Sequence, residues 1–531
     1  MGLRQAVNLK NNANLRFWIL LIALAIAGVA LMVYITPYGM GLVNDSVGYI
    51  GGARNILAGN GYSRLSGNGD PRPITNYPPL FSIAIAAVSL TGLEALRSAW
   101  LLNVALFGAN ILLIGLAARK ASGSDWFGLL GGLFFAASEP LFVAHSYAMS
   151  EPIYLFLATL CLLLLGKALQ NQHGGWLVAA GVTASLAFLA RYVAISLYTT
   201  AVICLLVFRK GWRKRITNSA IFVVSGIPLA AVWLVRNYLV SSNVGNRMVS
   251  YHPIPMDKIQ EGVQNFWGWL LPERGGLIEN HLNLWGIVLA VFLLAWLAAV
   301  LVVLFLILRG KVGGSSQQVQ TGWVFAVEGW IYLAVLVLTL TFVDASPIFE
   351  HRILSPFYIC VLVLGSAALA WVWQQKPPVG QVITAVLALG LLVSFAEDSM
   401  DSIHLLHQDG QGFAKSDWLE SPTIAAVSQL PETQIYTNRN TALYILTNRP
   451  AYVLPSPTNP ATQQPREGYA EDVTAIRQQV LDGDAVLVIF GYRTLDADLS
   501  GGHAWMQDLT QALPVIEAFD DDAIFGLSEL N

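Results

Sequence analysis

The run FWILLIALAIAGVALMVYI, residues 17–35, is apolar from end to end. A helix needs about 20 such residues to cross a bilayer, so the run reads as a spanning helix. A cleaved signal peptide is the rival reading. The run is long for a signal core and lacks a small-residue cleavage site before Pro37, so it reads as an anchor. Shortly after it comes NDSVGYIGGARNILAGNGYSRLSGNGDPRPITNYPPLF, residues 44–81, which is polar and rich in glycine and proline. It carries Asp45 almost at the lip of the apolar segment. So long a polar insertion beside a membrane anchor points to a catalytic centre just above a membrane surface, with Asp45 in it.

The whole chain repeats this contrast. Of 531 residues, 55% are hydrophobic and 12% charged, with a mean hydropathy of +0.56. Soluble domains carry about 25% charged residues, so lipid is the expected main solvent. Cys161, Cys204 and Cys360 all lie within apolar runs and read as buried thiols rather than a disulfide framework. There is no GxxxxGK[ST] phosphate loop and no GxGxxG after a strand. A nucleotide-driven pump and a soluble-type nucleotide-sugar enzyme are therefore not expected, and neither is a nucleic-acid partner.

Further apolar runs lie near 95–117, 126–142, 152–170, 175–190, 193–208, 217–239, 284–308, 323–343, 353–373 and 379–396, which makes about eleven spans with the first. The turns that would be cytoplasmic hold Arg119, Lys120, Lys167, the cluster Arg209, Lys210, Arg213, Lys214 and Arg215, then Arg309, Lys311 and Lys376. The opposite sides hold long loops at 37–94 and 240–283 and an acidic tail after 397. By the positive-inside rule the segment 1–16 is cytoplasmic, 17–396 is a polytopic helical membrane domain, and 397–531 is extracytoplasmic. The tail changes character. Strand-length apolar stretches at 434–437, 451–454 and 485–490 alternate with helical patterns at 441–446 and 471–481, and 455–467 reads as a polar loop. A soluble α/β domain with some parallel pairing is expected there.

Several residues could carry chemistry, each with a plainer reading. Asp45 precedes an apolar stripe at helical spacing (Tyr49, Ile50, Ala53, Ile56, Leu57) that Gly59-Asn60-Gly61 terminates. It could simply cap that helix, which would lie amphipathically in the interface. Glu151 stands before Pro152 at the start of an apolar run, where an acid also suits the helix dipole. An ionisable group at a membrane boundary is nonetheless a functional-site hypothesis by default. His145 could contact substrate, bind a metal or serve as acid or base, or it could form an ordinary hydrogen bond. Arg191, in AFLARYVAISL, and Arg352, in FEHRILSPFY beside His351, match phosphate geometry. Arg352 could instead pair with Glu350 or Asp344, and Arg191 could snorkel to the headgroups. Arg54 is a weaker phosphate candidate, and Tyr77 and His351 are candidate substrate contacts.

Taken in order, an acid just after the first span, a YPPL segment, an acid in a SEP segment of the next outer loop, FLARYV and HRILSP resemble the GT-C integral membrane glycosyltransferases. The branch they resemble most is family 39, with the protein O-mannosyltransferases and the aminoarabinose transferases of lipid A. The likeness covers roughly residues 15–375. Family members often carry two adjacent acids at the first site; here Asn44-Asp45 leaves Asp45 alone to inherit it. The resemblance implies an inverting transferase that takes a sugar from a polyprenyl-phosphate donor on the outer face of a bacterial cell membrane. The acceptor would be a lipid, a glycan or a protein. It implies Asp45 as general base, Arg352, Arg191 and Arg54 on the donor phosphate, and Glu151 orienting the acceptor or a divalent metal ion. No other cofactor is implied.

Two rivals remain. A flippase for lipid-linked saccharides would share the spans, but should show repeat symmetry or broken helices at matching positions, and none is evident. A scaffold presenting the outer domain has no need of an acid-bearing glycine-rich loop.

Overall fold

The computed structural model describes residues 3–527 except 172, 243–250, 272–275, 310–315, 345–347, 376–377, 458–464 and 493–507. Lys311 and Lys376 of the expected cytoplasmic turns lie outside the described residues, as do parts of the loops at 240–283 and 455–467.

Every one of the expected apolar runs is helical. The first is α1 (Leu3–Ile35). Two helices, α2 (Asn44–Leu57) and α3 (Leu80–Ser89), occupy the loop that follows. The next runs become α4 (Ala95–Ser122), the pair α5 (Asp125–Ala137) and α6 (Glu139–Ser146), α7 (Glu151–Asn171), α8 (Gly174–Ala190) and α9 (Ile195–Phe208). After α10 (Trp212–Ser241), helix α11 (Met256–Leu270) fills part of the second long loop. Then come α12 (Leu282–Leu308), α13 (Gln317–Phe342), α14 (His351–Gln375) and α15 (Val379–Asp409). Among the described residues, eight helices are long and apolar enough to cross a membrane, or nine if the pair α5 and α6, bent by 58°, counts as one. The expected number was about eleven. The difference lies in α8 and α9, which are apolar but short, because the chain breaks helix at Arg191.

The chain divides into two compact units, one of residues 1–37, 75–84 and 97–408, the other of 38–74, 85–96 and 409–531. The first is helical throughout. Its helices approach closely where side chains are small: a Cβ on Gly226 of α10 would lie 2.9 Å from the Gly181 carbonyl of α8. Such small-residue contacts bring backbones together where lipid supplies no hydrophobic drive.

The second unit holds the small sheet region expected near the C-terminus. The boundary expected at 397 falls inside α15, and residues 38–74 of the first loop join the unit. Within it, β1 (Ser63–Leu65) and β2 (Pro71–Pro73) form an antiparallel hairpin. After α16 (Ser416–Leu419) and α17 (Pro422–Gln429) come β3 (Gln434–Thr437), α18 (Asn440–Thr447), β4 (Tyr452–Val453), α19 (Tyr469–Leu481), β5 (Ala485–Ile489), β6 (Val515–Ala518) and β7 (Ala523–Phe525). The five-stranded sheet has the order β4-β3-β5-β7-β6. β3 pairs parallel with β4 and β5, and β7 pairs antiparallel with β5 and β6. Central β5 is buried throughout, as a strand covered on both faces must be. Its alternate residues serve two cores: Leu487 and Ile489 pack with Val473, Ile476 and Val480 of α19, while Val486 and Val488 pack with Val427 and Leu443.

Helix α2 meets the expected start and stop but not the expected cap. Its N-cap is Val43, and the Ser46 hydroxyl accepts from the Val43 N–H at 3.1 Å. Asp45 sits inside the first turn. The stripe Tyr49, Ile50 and Ala53 is buried in protein. The stripe's C-terminal end differs: Ile56 is half-buried and Leu57 is exposed.

Candidate active site

In the helical unit, Glu151 opens α7 and its side chain is only 2% exposed. Pro152 follows it, and proline suits a first turn where its missing N–H costs nothing. The carboxylate forms an ion pair with the Arg191 guanidinium, and Oε1 also lies 3.4 Å from Nε of Arg352. Burying a carboxylate is costly unless cations of this kind pair with it. Its Oε2 accepts no hydrogen bond among the described residues.

Local backbone places both arginines. Helix α8 ends at Ala190, and Arg191 is extended, with φ −152° and ψ 134°, before the 3-10 turn Tyr192–Ala194. The guanidinium therefore stands at a helix break, facing an anion, and not in mid-span. Arg352 is in the first turn of α14. It donates to Glu350 Oε1 from Nε at 3.0 Å and from a terminal nitrogen at 2.7 Å. The plainer reading of Arg352 as Glu350's partner is what these bonds show. Arg191, Glu151, Arg352 and Glu350 form a chain of alternating charge whose formal sum is zero. Glu350 is its exposed end, with 36% of its side chain accessible.

Two neighbours escaped the sequence reading. Glu328 on α13 is 4% exposed and accepts from Ser196 Oγ at 2.7 Å. Tyr332, one turn on, donates to the Ile353 carbonyl at 2.6 Å and lies in the electrostatic field of Arg191, Glu151 and Glu328. The signal was present in the lone acid of FAVEGW, an ionisable group within an apolar run.

Other candidates are placed differently. His145 has no exposed surface; Nδ1 lies 2.6 Å from the Leu141 carbonyl and Nε2 2.9 Å from Asn110, with Phe107 and Phe135 edge-on. It is a core histidine, and burial with both nitrogens engaged corrects the expectation of a substrate or metal contact. His351 lies with Nδ1 3.0 Å from the Tyr358 hydroxyl, which donates to the Asn265 carbonyl and stacks on Trp269. It helps seat α11 on α14. Tyr77 is half-buried in the turn before α3. No group of three His, Cys, Asp or Glu among the described residues could hold a metal ion, so no ion is assigned to Glu151.

In the second unit, Asp45 is half-buried in the first turn of α2. Arg54, on the last turn of the same helix, donates to Glu94 at 3.0 and 2.8 Å and to Asn448 Oδ1 at 3.1 Å. These bonds tie its guanidinium to residues beside α2.

Residues 76–235, well under half of the chain, match the model of a family described as dolichyl-phosphate-mannose-protein mannosyltransferase. No curated protein sequence matches the chain. Its structure is similar to ArnT from Cupriavidus metallidurans bound to undecaprenyl phosphate, with a TM-score of 0.54 at 14% identity, covering 96% of this chain and 97% of that one. The fold is GT-C. The archaeal oligosaccharyltransferase AglB from Archaeoglobus fulgidus, in complex with an inhibitory peptide and a dolichol-phosphate, shares the GT-C fold at a TM-score of 0.55 and 10% identity, over 89% of this chain and 70% of that one. The mycobacterial arabinofuranosyltransferase AftD is similar at 0.53 and 14%, over 95% of this chain but 41% of its own length. The GT-C likeness expected from the motifs is therefore met across nearly the whole chain.

Proposed function

We propose that this GT-C protein is a glycosyltransferase that moves a sugar from a polyprenyl-phosphate donor to an acceptor hydroxyl, with inversion. The observation that carries the reading is the convergence of Arg191 and Arg352 on buried Glu151 at the ends of apolar helices. Two fixed guanidinium groups at such a level suit a lipid-borne phosphate, and Glu350 is the exposed anion that a phosphate would replace on Arg352. Undecaprenyl phosphate in the ArnT structure and dolichol-phosphate in the AglB structure support the same donor class.

In the reaction, the acceptor oxygen forms a bond to the anomeric carbon and loses its proton to the Asp45 carboxylate. The bond from that carbon to the phosphate oxygen breaks, and polyprenyl phosphate leaves with the electron pair. The arginines stabilise the charge that develops on it. Glu151 holds both guanidinium groups in place. The positive turns around Arg119, Lys167 and 209–215 favour a cytoplasmic N-terminus and an extracytoplasmic sheet-bearing unit, with the reaction on the outer face of the membrane.

The test is release of polyprenyl phosphate by the detergent-purified chain from a panel of polyprenyl-phosphate sugars. Release that Asp45→Asn abolishes supports the reading. Binding of lipid-linked sugars by both forms with no donor consumed would replace it with a flippase.

A further inference from the structure

In the second unit, the hairpin β1–β2, helix α18 and strand β4 enclose a cleft of about 420 Å³. This is within the range of about 300–1,000 Å³ usual for small-molecule sites. Arg64 and Arg72 line it and are direct cross-strand partners in the hairpin. Like charges facing one another across a ribbon repel, so the pairing costs stability unless an anion sits between them. Neither guanidinium has a hydrogen-bond or ion-pair partner among the described residues. The acid of the hairpin turn, Asp70, is engaged by Asn68 instead. The cleft's described lining holds no acid.

The other walls have a different chemistry. Tyr444 and Tyr452 offer ring surface, and Tyr452 is held by stacking on Tyr436 at 5.1 Å. Asn440 and Thr441 offer an amide and a hydroxyl. Gly67 admits the hairpin to this position, because a Cβ there would run into the Tyr452 ring. Thr441 donates to Asn44 Oδ1 at 2.8 Å, so the cleft wall is tied to the helix turn that carries Asp45. Val47, two residues beyond Asp45, lines the cleft.

We infer that this cleft binds an anionic saccharide, its carboxylate or phosphate held by Arg64 and Arg72 and its ring against the tyrosines. The planar guanidinium fork matches either anion. If Asp45 is the base of a glycosyl transfer, as proposed above, the bound saccharide is the acceptor; that assignment rests on the transferase reading, whereas the binding does not.

The experiment is calorimetric titration of the full chain in detergent with digalacturonate, glucose 6-phosphate and neutral maltose. At least one anionic probe should bind, maltose at least tenfold more weakly, and Arg64→Gln with Arg72→Gln together should weaken the anionic probe at least tenfold. Which anionic probe binds assigns carboxylate or phosphate. The double variant should keep or raise the melting temperature, and the Lys pair at both positions should retain part of the affinity, which separates lost recognition from lost folding. Maltose binding as tightly, an unaffected double variant, or no binding of either anionic probe would overturn the inference. No donor is present in the titration. A failure of polyprenyl-phosphate release would therefore remove the transferase reading and leave the binding result standing.

Discussion

Arg352 Nε stands 3.4 Å from Oε1 of Glu151, an oxygen that also pairs with Arg191. One buried carboxylate thus orients two cations that come from the end of α8 and the start of α14. Removing it should affect both.

Glu151→Gln leaves two guanidinium groups facing a neutral amide. Breaking a buried pair by removing one partner costs about 3–5 kcal/mol, and the partial exposure of both arginines puts the expected loss at the lower end, about 3 kcal/mol. The check is the melting temperature in detergent beside donor turnover, and both should fall. An unchanged melting temperature would show that the pair does not hold these helices.

Arg352→Lys keeps the charge but gives up the fork that reaches Glu350 and Glu151 together. Loss of a positioned transition-state donor typically costs about 10²–10³ in rate. Turnover should fall by about that factor with the fold intact, whereas full activity of the Lys variant would reduce Arg352 to a structural ion pair.

For Asp45→Asn, loss of a general base predicts a rate lower by about 10²- to 10⁴-fold. Asp45 is not the cap of α2, so the melting temperature should hardly move. Ser46→Ala removes the hydroxyl that accepts from Val43 N–H and should instead cost about 1 kcal/mol of stability. Comparing the two by thermal unfolding and turnover separates chemistry from helix initiation at adjacent positions.

Arg54→Ala tests the role of that residue. Its partner Glu94 is half exposed, so the lost pair is worth about 0.5–1 kcal/mol. The KM for the lipid donor should stay the same. A several-fold rise in KM would place Arg54 at the phosphate site.

Much of this was legible in the chain. Apolar runs of helical length mark each helix from α1 to α15 that resembles a span, and β3, β5, α18 and α19 lie where strand and helix patterns alternate after 430. These signals are local, because burial against lipid or a sheet repeats along neighbouring residues. Glu151, Arg191 and Arg352 were visible too, as charges beside or within apolar sequence, and Asp45 as an acid in the polar stretch after the first apolar run. Their relations were not. Tertiary packing alone decided that Glu151 meets Arg191 and Arg352, that His145 is sealed among Phe107 and Phe135, and that Arg54 is spent on Glu94 and Asn448. It also placed residues 38–74 of the first loop in the unit of the C-terminal sheet and set Arg64 opposite Arg72 in a cleft with Tyr444 and Tyr452. The physical reason is range: hydrophobic periodicity acts over one helical turn, whereas the partner of a charge depends on which distant element docks beside it.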